Sequence, residues 1–101
     1  MAENVDDKFY DRADAFINVA NGMLGQHGEG MINASFMYGA ARFNAFMIML
    51  ASQTPQQMAA AREQLADQFA AQYRAMFLEH LDEHIHHFVI HKKNLLSVPK
   101  S

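Results

Sequence analysis

The feature that most constrains this chain is a gap in its punctuation. After Pro55 no glycine or proline appears until Pro99. The stretch opens with Thr54-Pro55-Gln56-Gln57. Thr54 suits a helix N-cap, Pro55 the first helical position, and Gln57 completes a capping box. Helical periodicity then carries on to Lys92 or Lys93. At 1.5 Å per residue, such a helix is about 57 Å long.

Two shorter helices precede it. The first is expected from about Asp7 to Leu24, with Asp6 or Asp7 as its cap. Phe9, Ala13, Phe16, Ile17, Ala20 and Leu24 form its apolar stripe, opposite Asp11, Asp14, Asn18 and Asn21. Gly22 and Gly25 end it, and the run GQHGEG reads as a connection. The second helix is expected from about Ile32 to Ser52. Ile32, Phe36, Gly39, Phe43, Phe46, Met47 and Leu50 make its main face, and Ala34, Met37, Ala41, Ala45 and Ile48 a second one. A helix apolar on two sides must be covered on two sides. No Val/Ile/Thr-rich alternating run or hairpin dipeptide signals a strand.

The lengths do not match. The first two helices are about 27 and 32 Å long, so the third overhangs by about 25 Å or breaks near Glu79–His80 and folds back. The overhang carries Phe77, Leu78, Leu81, Ile85 and Phe88 on one side, and such a surface needs cover. A partner chain is favoured over a break, because no breaker residue marks a turn. The expected fold is all-α: a three-helix antiparallel bundle with a long C-terminal helix, either continuous or broken to give a short fourth helix. It forms one domain over residues 1–101, ordered from about 7 to 92 with a frayed tail over 94–101. It assembles as a homodimer or higher homo-oligomer through the second helix and the end of the third.

Composition narrows function. A chain of 101 residues allows one domain. With no cysteine there is no disulfide framework, thiolate nucleophile or Cys-based metal site. A net charge of -3 argues against a nucleic-acid partner. No window of 18 residues is free of charge, which argues against a membrane span. The acidic start, without a basic region and apolar run, argues against a secretory signal. The expected location is the cytoplasm.

Several segments are familiar as motifs. They are Phe9-Tyr10-Asp11-Arg12-Ala13-Asp14-Ala15-Phe16-Ile17, then Ala34-Ser35-Phe36 leading into Ala40-Ala41-Arg42-Phe43-Asn44-Ala45-Phe46, then Tyr73-Arg74-Ala75-Met76. Together they resemble a family of small bacterial all-helical proteins known only as a domain of unknown function. The resemblance spans roughly residues 7–85. It implies an all-helical bacterial domain with no established activity, and it transfers no catalytic residue.

The histidines are concentrated. Five of the six fall between His80 and His91. His80, His84, His87 and His91 are spaced 4, 3 and 4, so they line one helical stripe. The pairs His80/His84 and His87/His91 could each chelate a divalent transition metal such as Zn or Ni. All four cannot share one ion, since i to i+7 spans about 10.5 Å along the axis. A closed site would draw two more ligands from elsewhere, such as a second copy across a two-fold axis. Glu83 and His86 have the E-x-x-H spacing of di-metal bundles, but the second helix has no Asp or Glu, so one chain is not expected to build such a site. The plainer and favoured reading is that these histidines border a core or interface. Four aligned imidazoles at a symmetric interface would also repel on protonation.

The other candidates are read as structural. Arg42 is an ion-pair partner or an edge-covering stem before it is an anion site. Asp11 and Asp14 lie on a solvated face. Met47-Ile48-Met49-Leu50 is adaptable packing. GQHGEG lacks the strand and Lys-Ser/Thr of a phosphate loop. Ser35 and Ser52 have no His–Asp partner nearby in sequence. The expected function is therefore non-catalytic: self-association or protein interaction, with metal binding at the histidine stripe as the alternative.

Overall fold

A computed structural model describes residues 6–97, and every regular element among them is a helix. Helix α1 spans Phe9–Met23, α2 Glu29–Ala51, α3 Pro55–His86 and α4 Phe88–Ser97. The chain divides into two compact units, Met1–Ala59 and Ala60–Ser101.

In the first unit, Asp6 anchors the start of α1. Its backbone carbonyl accepts from Phe9 N–H at 3.1 Å, and its carboxylate accepts from Lys8 N–H at 3.0 Å and from Arg12 at 3.2 Å. The expected Asp6 or Asp7 cap is not formed: Lys8 is the residue at the helix boundary and makes no side-chain cap, while the Asp6 carboxylate bonds to the Lys8 N–H ahead of the helix. After α1 the chain turns tightly, with Gln26 and His27 N–H both donating to the Met23 carbonyl at 3.0 Å. Gly28 is extended, and α2 begins at Glu29, three residues before the expected start. Glu29 puts a carboxylate in the first turn, where the helix dipole favours it. The expected connection GQHGEG is thus shorter, its last two residues being helical.

Helix α2 stops where Ser52 turns extended. Its N–H and hydroxyl both donate to the Ile48 carbonyl, at 3.0 and 2.8 Å. The capping box at the next helix is present with one variation. Gln57 N–H donates to Thr54 Oγ1 at 3.0 Å, as expected. The Gln57 amide oxygen accepts from Gln53 N–H at 2.6 Å instead of from Thr54.

Helices α1 and α2 touch, yet little of their apolar surface is covered. Among the described residues only Ile32 is buried, at 8% exposure. Phe43 remains 60% exposed and Phe46 50%.

The second unit holds the rest of α3 and all of α4. The third helix does break, contrary to the preference for a continuous one. The break lies at His87, not near Glu79–His80, and it yields the short fourth helix. Neither glycine nor proline causes it. The local sequence His86-His87-Phe88-Val89-Ile90 is made of middling helix formers. His87 N–H still donates to the Glu83 carbonyl at 3.0 Å, and His91 N–H to the His87 carbonyl at 2.9 Å. The i to i+4 pattern therefore persists on both sides of the irregularity. Helix α4 runs to Ser97, into the segment expected as a tail, and residues 98–101 lie outside the described ones.

Candidate functional site

The chemistry-bearing residues gather at the α3–α4 junction. Glu83 comes from the last turn of α3, His87 from the break, and His91 from the first turn of α4. One ligand atom from each lies within 4.8 Å of the others. Glu83 Oε2 is 3.3 Å from His87 Nδ1 and 3.8 Å from His91 Nε2. The Glu83 side chain is 57% exposed, that of His87 40% and that of His91 31%. Solvent therefore reaches the cluster.

His84 joins through His91. The two Nδ1 atoms are 2.8 Å apart, and the rings meet edge-on with centroids 4.8 Å apart. A hydrogen bond between two ring nitrogens requires one proton, so one Nδ1 donates and the other accepts. The two histidines are seven residues apart, which on a straight helix means about 10.5 Å along the axis. Their contact goes with a bend at His87. The straight-helix argument that kept His84 and His91 apart fails here, because the helix is broken between them. His86 lies edge-on to the His87 ring at 4.6 Å.

Of the four expected stripe histidines, the structure brings together His84, His87 and His91. His80 makes no hydrogen bond or ring contact with them among the described residues. The sequence pattern pairs Glu83 with His86 in E-x-x-H spacing, not with His87 and His91. The signal for the observed set was the position of Glu83 four before His87 and eight before His91, on the same side of the helix. The carboxylate stands within 4 Å of both imidazoles. Two imidazoles and a carboxylate suit a divalent transition ion and leave at least one coordination position open.

One atom in the cluster is unusual. His87 Nδ1 is shielded from solvent and has no hydrogen-bond partner, although Glu83 Oε2 is 3.3 Å away. The ring is not aimed along the line between the two atoms, so the contact is not a hydrogen bond.

A second feature lies on α2. Gly39, Arg42, Phe43, Ala45, Phe46 and Met49 line a shallow apolar depression. Nothing lies within 4 Å of the place a Gly39 Cβ would occupy. Arg42 makes no ion pair or hydrogen bond among the described residues, so its stem serves as an edge of this surface. Asp11 and Asp14 are exposed on α1.

Residues 9–85 match the profile of a family described as protein of unknown function (DUF3144). The chain belongs to this family. The match covers α1, α2 and α3 up to Ile85. Within this DUF3144 chain, Glu83 and His84 fall inside the matched segment, and His87 and His91 fall beyond it. Comparison with curated proteins and with solved structures finds no match. No helix among the described residues is long and apolar enough to cross a membrane.

Proposed function

We propose that this DUF3144 protein acts without catalysis, as a small bacterial cytoplasmic protein that works by pairing with a second copy of itself. Its helices would assemble as antiparallel bundles completed by the partner. The carrying observation is the exposed apolar surface of α2, which extends over both of its apolar faces. Phe36, Met37, Phe43, Phe46, Met49 and Leu50 are each between 42% and 60% exposed. From Met31 to Ala51 the only charged side chain is Arg42. Interface centres are likewise poor in charge and rich in aromatic residues and methionine.

A second copy fits this surface better than an unrelated partner does. The face carries both a notch and projections: the open space at Gly39 beside the exposed rings of Phe43 and Phe46. A two-fold interface needs that self-complementarity, because each patch meets its own copy. The second unit adds to the demand. Phe77, Leu78, Leu81, Ile85, Phe88 and Val89 are all at least 38% exposed.

Light scattering on the eluting protein tests the proposal. Purified chain at micromolar concentration should show at least twice the 11.4 kDa of one chain. A mass of one chain at that concentration refutes it.

A further inference from the structure

We propose that Glu83, His87 and His91 bind one divalent first-row transition ion per chain, and that His84 is the outer partner that orients His91. Three observations converge on this. The donor set is two imidazoles and one carboxylate, a combination suited to zinc and its neighbours. The spacing approaches that of a formed site on the two edges to Glu83, and all three ligand atoms lie within 4.8 Å of one another. With bonds of about 2.0–2.1 Å, two ligand atoms in a tetrahedral zinc site stand about 3.3 Å apart. Glu83 Oε2 and His87 Nδ1 are 3.3 Å apart, and His91 Nε2 is 3.8 Å from the same oxygen.

The orientation of His87 is the second observation. In a tetrahedral site each lone pair aims at the ion, about 35° off the line joining two ligand atoms. A ring aimed that way faces the carboxylate without hydrogen-bonding to it. His87 Nδ1 is compatible with that arrangement, being shielded, 3.3 Å from Oε2, and unpartnered. A shielded nitrogen without a partner is costly, and an ion in that position would satisfy it.

The third observation is the His84–His91 contact. A histidine that ligates through Nε2 carries its proton on Nδ1 and donates it to an outer acceptor. His91 has Nε2 toward Glu83 and Nδ1 at 2.8 Å from His84 Nδ1. His84 accepts that proton and fixes the ring of His91. The ion then ties the end of α3 to the start of α4 across the break at His87. All ligands come from one chain, so this site stands or falls separately from the pairing of chains.

Calorimetric titration of the tag-free, chelator-treated full chain with zinc chloride tests the site. The expected result is one ion per chain. Glu83→Gln and His87→Gln should abolish binding at micromolar zinc while leaving helicity by circular dichroism unchanged. His84→Ala should weaken binding by about 10–100-fold. His80→Ala should leave it unchanged. The proposal is overturned if the chain takes up no zinc, or if one ion binds per two chains. It is equally overturned if His80→Ala loses binding while His87→Gln keeps it, since His80 and His84 would then be the site.

Discussion

Replacing Phe43 by alanine separates a surface ring from an interface ring. In the single chain Phe43 is 60% exposed. A side chain left in water contributes little, and its removal would shift stability by no more than about 0.5 kcal/mol. If a second copy covers the ring, the arithmetic changes. An aromatic side chain buries about 200 Å² when fully enclosed, so the exposed part is about 120 Å². At about 25 cal/mol per Å² that area is worth about 3 kcal/mol. Alanine keeps the first carbon, so the truncation forfeits about 2 kcal/mol per chain. A two-fold interface counts the change twice, giving about 4 kcal/mol, or about a thousandfold in the dissociation constant. Sedimentation velocity over a concentration series measures that constant, and circular dichroism checks that the helices persist. Phe43→Ala with intact helicity and a dissociation constant within about tenfold of the parent chain would refute the placement of α2 at the interface.

Two further substitutions test the fold itself. Ile32 is the one buried side chain among the described residues, and Ile32→Ala should cost about 2–4 kcal/mol in urea unfolding. A cost like that of an exposed residue would show that it is not a packing centre. Thr54→Ala removes the hydroxyl that accepts from Gln57 N–H and should cost about 1 kcal/mol in the same assay.

What the sequence made legible was local. Thr54, Pro55 and Gln57 announced the start of α3 because capping is decided within four residues. The end of α2 at Ser52 was legible for the same kind of reason. The start of α2 was read too late, because Glu29 and Gly30 look like loop residues and neither belongs to an apolar stripe. The break at His87 was less legible still. It has no glycine or proline, so nothing in the one-dimensional pattern separates it from the residues around it. The site suffered from the same omission. Spacing on a straight helix kept His84 away from His91, and E-x-x-H spacing paired Glu83 with His86 instead of with His87 and His91. Only the contacts across the break place Glu83 beside His87 and His91, with His84 against His91.

The bend also bears on how the two proposals relate. On the wheel of each helix at 100° per residue, Ile85 lies about 150° from the midpoint of Glu83 and His84 in α3, and Val89 about 160° from His91 in α4. Ile85 and Val89 lie on the opposite side, and they are 70% and 76% exposed. The histidines therefore do not face the surface that most needs cover at this end of the chain. A histidine stripe at the centre of a symmetric interface would couple ion binding and pairing, because each would bury or release the same rings. Opposed faces uncouple them. An ion at Glu83, His87 and His91 would set the angle between α3 and α4, and through it the direction in which Ile85 and Val89 are presented. It would leave their area untouched. Pairing would then respond to the ion through geometry alone, a weaker link than shared ligands would give.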